Sequence, residues 1–134
     1  MTERQRISSG SPYEPVIGFS RAVRVGDTVY VSGTVAWGDD PPPACRRQLV
    51  GPGDAYLQAK QAIANIEKAL QQAGASLADV VRTRVYLTDM AHFDDVARAH
   101  GEAFGEIRPA SSFIGVAALA DREMLVEIEA VAVV

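Results

Sequence analysis

Four polar side chains stand where a plain β-core would need none. In Leu125-Val126-Glu127-Ile128-Glu129-Ala130-Val131, Glu127 and Glu129 are two residues apart. An extended strand therefore puts both carboxylates on one face, opposite Val126, Ile128 and Ala130. In Arg108-Pro109-Ala110-Ser111-Ser112-Phe113-Ile114-Gly115-Val116, Ser111 and Ser112 open a second apolar stretch. A carboxylate in a cleft can orient a water or a substrate amine, and a hydroxyl beside it can hold a ligand through one hydrogen bond. The structural alternative is that the glutamates pair with Arg82 and Arg84, because an unpaired buried carboxylate costs several kcal/mol or changes its protonation. Pairing is the expectation for Glu129; for Glu127 both readings stand.

The rest of the chain sets limits on that chemistry. Its 134 residues fit one domain, 1–134, with 48% hydrophobic and 22% charged residues. The net charge is −4, from 13 basic and 17 acidic residues with no basic run. That composition argues against a large nucleic-acid or anionic-membrane surface. One cysteine, Cys45, excludes an intrachain disulfide and, with only two histidines, leaves too few ligands for a structural zinc site. Cys45 lies in a proline-rich loop beside Arg46 and Arg47 and reads as an incidental loop cysteine rather than a reactive thiol. The polar start, Met1 to Arg6, leads into no apolar signal core, and no apolar run approaches the roughly 20 residues of a membrane span. The expected location is cytoplasmic.

The elements that position the polar residues follow from periodicity. Residues 1–20 read as irregular. Arg21 to Val25 and Thr28 to Val35 alternate about Gly26-Asp27, a hairpin. Strict alternation groups Val29, Val31, Gly33 and Val35 on one face and Tyr30, Ser32 and Thr34 on the other. Residues 36–53, with three consecutive prolines, read as a surface flap ending at Asp54, a helix N-cap. Tyr56, Ala59, Ile63, Ile66, Leu70 and Ala73 then form an apolar stripe that Gly74 terminates, with Gln58 mostly off it. A strand over 80–87 groups Val81, Thr83, Val85 and Leu87 against Arg82, Arg84 and Tyr86. Asp89 caps a second helix whose apolar face includes His100, read as a packed and satisfied histidine. Pro109 stops that helix, and strands 110–117 and 124–134 complete the order β-β-α-β-α-β-β. This predicts an α+β fold, a mixed sheet with both helices on one face. The opposite face, carrying Tyr30, Ser32, Arg82, Arg84, Tyr86, Glu127, Glu129, Val131 and Val133, is too apolar for bulk water and too charged for a dry core. It is expected to be an interface for self-association, with polar pockets in it.

The whole pattern resembles the RidA/YjgF family, also called endoribonuclease L-PSP or the reactive intermediate deaminases. The resemblance rests on Phe19-Ser20-Arg21-Ala22-Val23, Val31-Ser32-Gly33, Val81 to Leu87, the Pro109 strand and Val126-Glu127-Ile128-Glu129-Ala130. It implies a chorismate-mutase-like fold and a homotrimer whose sheets close into an inner barrel, with small-molecule clefts between subunits. It also implies hydrolysis of enamines and imines to keto acids and ammonia, without metal or cofactor. In such a reaction an arginine holds the substrate carboxylate, a glutamate positions water and an aromatic hydroxyl assists.

The resemblance places the catalytic glutamate at Glu127 and the ligand-binding residues at Phe19, Ser32, Gly33, Ser111, Ser112 and Phe113. Three cleft groups differ from the active members. Ser111 stands where they carry the arginine, Phe19 lacks a tyrosine's hydroxyl, and Ala97 replaces an asparagine. Loss of a bidentate charged contact costs about 3 kcal/mol, on the order of a hundredfold in affinity for a carboxylate. Arg21, Arg84, Arg98 and Arg108 are the cations from which a substitute anchor would come. The expected function is a trimer that acts on or binds a small metabolite other than 2-iminobutanoate. The alternatives are an active imine deaminase and a non-catalytic metabolite-binding protein. Ribonuclease activity is disfavoured by the acidic charge and the lack of a histidine pair.

Overall fold

The computed structural model describes residues 3–38 and 48–134; Cys45 and the three consecutive prolines of the expected flap, Pro41 to Pro43, lie outside the described residues. Six strands form one sheet: β1 (Arg4–Ile7), β2 (Ala22–Val25), β3 (Thr28–Thr34), β4 (Val80–Leu87), β5 (Ala110–Gly115) and β6 (Val126–Val133). Two helices, α1 (Ala55–Gln72) and α2 (Phe93–Phe104), lie between β3 and β4 and between β4 and β5. The strand order is β1-β2-β3-β6-β4-β5. All neighbours are antiparallel except β4 and β5, which α2 connects as a parallel pair. The mixed α+β architecture is the expected one.

The stretch before residue 20 differs from expectation. Arg4–Ile7 pairs with β2 although only Ile7 is buried. An edge strand of this kind is held by backbone hydrogen bonds and needs no alternation of apolar side chains. Glu14–Gly18 then makes a π-helical turn. Glu14, nearly buried, accepts hydrogen bonds from the Ser9 and Ser11 backbone N–H groups and the Ser9 hydroxyl, fixing the turn that delivers Phe19. Beyond β3, the two ends of the expected flap pair with each other: Gly38 N–H donates to Gln48 O, and Val50 N–H to Ala36 O.

Helix α1 begins where the Asp54 side chain accepts from Leu57 N–H. It ends in a Schellman motif: Ala75 N–H reaches Leu70 O and Gly74 N–H reaches Gln71 O, with Gly74 at φ 80°. Its stripe Ala59, Ile63, Ile66, Leu70 and Ala73 is buried in one cluster with Val29, Val85, Leu87, Val126 and Ile128 of the sheet and Val96 and Phe104 of α2. The helices thus share one face of the sheet. Among the described residues no layer covers the other face, and Tyr30, Arg82, Arg84 and Val133 are exposed there.

Two bulges correct the strict alternation read from sequence. Between Val31 and Thr34, two residues of β3, Ser32 and Gly33, stand against one of β6, Glu129. Gly33 therefore joins the open face, and Thr34, 3% exposed, turns to the core. Between Val80 and Arg82, Val81 is the extra residue against β6. Val80 is buried, and Val81 is left 47% exposed rather than in the core as expected.

Gln58 is a further departure, since it is fully buried. Its Nε2 donates to Gly51 O and Glu123 O, and its Oε1 accepts from Leu125 N–H. One amide thereby ties the entrance of α1 to the entrance of β6, the strand that carries Glu127. Gln58→Leu keeps the bulk and strands three part-buried backbone groups. Denaturant unfolding is expected to show a loss of about 3 kcal/mol, whereas an unchanged midpoint would mean that the amide anchors nothing.

Candidate functional site

Glu127 and its surroundings are products of the β3 bulge. An added Cβ on Gly33 would lie 2.7 Å from Glu127 Oε1 and 2.8 Å from Cδ. The missing side chain is what leaves room for the carboxylate. Arg21 fixes the bulge from behind: its guanidinium donates to Gly33 O at 2.6 Å and to Thr34 Oγ1 at 3.0 Å. Its charge also lies 5.5 Å from the centre of the Phe19 ring. Ser32 Oγ donates to Ser20 O at 2.6 Å, joining the strand to the segment that holds Phe19. Phe19, Ser32, Gly33, Tyr86, Glu127 and Glu129 line one open recess on the uncovered face, of about 590 Å³, together with Val116 and Leu119.

The two carboxylates in this recess differ. The Tyr86 hydroxyl donates to Glu129 in a short hydrogen bond, and that bond is the main reason the phenol's pKa is raised. Glu129 thus has a tyrosine as its hydrogen-bond partner, although Arg84 lies directly across from it in the β4–β6 register. Glu127 receives no hydrogen bond among the described residues. Burial pushes its pKa up, the Arg21 charge opposes that, and Glu129 adds to it. A half-buried carboxyl with a raised pKa and open space before it is suited to exchanging a proton with a ligand or a water.

Ser111 and Phe113 lie elsewhere. The parallel register sets Ser111 beside Thr83 and Phe113 beside Val85, both of them buried on the helix-covered side. Ser111 Oγ is 2.7 Å from Thr83 Oγ1, which is 2.9 Å from His100 Nε2. The Phe113 ring stacks at 5.0 Å against Phe93 and at 5.8 Å against His100. Ser112 has the opposite parity, exposed beside Arg84 on the open face, and does not line the recess of Glu127. The seven residues singled out from sequence therefore fall into a Glu127 group of four, a Ser111–Phe113 pair on the other side of the sheet, and Ser112 apart.

Of the four arginines considered as substitute anchors, Arg21 is nearest Glu127 and is committed to the bulge. Arg84 is exposed on the open face, Arg98 stacks 3.8 Å over the Tyr56 ring on the outside of the helices, and Arg108 is exposed before Pro109. Sequence reasoning placed Tyr86 on the correct face but did not assign it to the site. It passed over Thr83 and the link to His100, which need the β4–β5 register. Among the described residues no cluster of three or more histidine, cysteine or acidic side chains could hold a metal, and no helix is long and apolar enough to cross a membrane.

A single-layered sheet backed by two helices, with a carboxylate recess on its bare face, defines a small α+β protein whose candidate site is built on strands and not on a cofactor motif. The model of the family described as endoribonuclease L-PSP matches residues 10–134. A 2-iminobutanoate/2-iminopropanoate deaminase of Mus musculus is 40% identical over 130 residues, 97% of this chain and 91% of that protein. A RutC family protein of Pyrococcus abyssi is 35% identical over 119 residues, 89% of this chain and 88% of that protein. A crystal structure from Mycobacterium tuberculosis, described as a member of the YjgF/YER057c/UK114 family, superposes with a TM-score of 0.85 at 46% identity, covering 98% of this chain and all of that one. The chain belongs to this RidA/YjgF, or endoribonuclease L-PSP, family.

The raised pKa of Glu127 has a consequence for stability. Between the ordinary glutamate pKa and the raised folded value, the folded chain holds a proton that the unfolded chain has lost, so stability falls as pH rises through that window. Glu127→Gln is expected to flatten this part of the stability–pH curve, as read by urea midpoints. A wild-type curve rising with pH there, relative to Glu127→Gln, would contradict the burial effect. Gly33→Ala is expected to fold but to drive the Glu127 side chain out of its place, which a crystal structure of the variant would show directly.

Proposed function

We propose that the chain assembles as a homotrimer through the open face of its sheet and acts on a small uncharged metabolite in clefts between subunits, with Glu127 as the catalytic residue. The proposed turnover is hydrolytic, deaminase-like, independent of metal and cofactor, and located in the cytoplasm. Its substrate is not 2-iminobutanoate.

The observation that carries this reading is the state of Glu127: half-buried, raised in pKa, without a hydrogen-bond donor among the described residues, and facing open space at the bottom of a bulge. As a base, the carboxylate takes a proton from water while the water oxygen bonds to the carbon of a C=N group, whose π electrons move to nitrogen. The carboxyl then returns that proton to the nitrogen. The carboxylate then takes the proton of the new hydroxyl and passes it to the nitrogen as the C–N bond breaks, so that ammonia or an amine leaves and a carbonyl remains. Tyr86 is placed to hold Glu129 away from this exchange.

Two features support the cleft and its selectivity. Tyr30, Ile114 and Val133 are 54%, 37% and 45% exposed, a large apolar share for the bare face of a sheet. The Ser111–Phe113 pair is on the other side of the sheet from Glu127, so a second copy is the means of bringing the two groups to one ligand. Ser111 offers a substrate carboxylate no charge, which removes the anchor that an imino acid needs.

Two measurements test the proposal. Light scattering is expected to give three times the 14.3 kDa chain mass; a monomer would contradict assembly. With a threonine dehydratase generating 2-iminobutanoate, keto-acid release is expected to run at the uncatalysed rate with this protein and to accelerate with Ser111→Arg. Acceleration by the unaltered protein that disappears in Glu127→Ala would overturn the assigned substrate class and make it a standard imine deaminase.

A further inference from the structure

Thr83 is fully buried between Ser111 and His100, and its single hydroxyl proton is directed to Ser111 Oγ at 2.7 Å. With that proton spent, Thr83 can meet His100 Nε2, 2.9 Å away, only as an acceptor. A row that runs outward to Ser111 has His100 carrying its proton on Nε2, the tautomer that the spectra below read. The ring lies 4.6 Å from Phe104 and 5.8 Å from Phe113, and burial pushes its pKa down, keeping it neutral. Thr83 thus receives one hydrogen bond and gives the next. Ser111, which is exposed, ends the row. Hydrogen bonds in such a chain polarise one another, so the last hydroxyl is a better donor than an isolated serine. Beside it Phe113 and the 44% exposed Phe93 form an aromatic step.

We propose that His100, Thr83 and Ser111 form a donor relay that fits this end of the cleft to an uncharged carbonyl or imine group carried on an apolar ring or chain, with the apolar part against Phe113 and Phe93. Ser111 is the ligand contact, and Thr83 and His100 are positioning residues. One directed neutral donor satisfies a carbonyl or imine acceptor; it leaves a carboxylate stripped of water and without a counter-charge. The relay deepens the proposed function by naming the substrate class, yet it resides within one chain and does not require turnover by Glu127.

The test uses the full chain with acetophenone and benzoate, which share a ring and differ in charge. Calorimetric titration is expected to show acetophenone bound at least about tenfold tighter than benzoate. That preference should shrink to within about twofold in Thr83→Val and in His100→Phe, which keeps a ring and removes the donor. It should survive in Thr83→Ser, which restores the hydroxyl. Long-range ¹H–¹⁵N spectra should show His100 as the Nε2–H tautomer. Absence of saturable acetophenone binding, equal binding of benzoate, an unchanged preference in both Thr83→Val and His100→Phe, or an Nδ1–H tautomer would each overturn the relay. Retained preference without turnover by any variant would sink the proposed catalysis and leave the relay standing.

Discussion

The contact between a missing side chain and a carboxylate governs this structure. Two residues of β3, Ser32 and Gly33, stand against Glu129 of β6, and the extra residue turns Gly33 to the bare face of the sheet. There the absent Cβ makes the space that Glu127 occupies. Arg21 holds the bulge by its backbone oxygen and by Thr34, and its charge partly offsets the burial of the carboxyl. A bulge next to a functional group re-aims side chains without ending the strand. Here it brings Ser32, Gly33, Phe19 and Glu127 to one recess.

The two helices cover one side of the sheet and, among the described residues, leave the other bare. That asymmetry separates the polar groups. On the bare side Tyr86 engages Glu129 and leaves Glu127 to the recess. On the helix side Ser111 belongs to a row ending at a histidine held among phenylalanines. A carboxylate able to exchange protons and a directed neutral donor are complementary tools for adding water across a polar double bond. Neither offers a counter-charge for a carboxylate.

Much of this was legible in the sequence because it depends on local signals. The N-cap Asp54, the terminating Gly74, the hairpin at Gly26-Asp27 and the parity of Glu127 and Glu129 on β6 are each read from a few neighbouring residues. What was not legible depends on pairing. A bulge adds one residue to a strand without altering its composition, so Gly33, Thr34 and Val81 were given the wrong faces. Strand β1 pairs through its backbone and shows no alternation to read. Gln58 is polar, and only the convergence of Gly51, Glu123 and Leu125 on it explains its burial. The row from His100 to Ser111 crosses α2, β4 and β5, and it exists only in the parallel register of the two strands. His100 was correctly read as packed and satisfied, and its partner was the missing fact.

In the assembly we propose, Glu127 and Ser111 meet across two copies of the chain. The most direct test joins cysteines placed at these positions, in a background with Cys45 replaced, using a short bismaleimide. Chains carrying Ser111→Cys mixed and reassembled with chains carrying Glu127→Cys should give a covalent pair of unlike chains, and neither variant alone should give it. A crosslink within a single doubly substituted chain, or none between mixed chains that have assembled, would contradict the shared cleft.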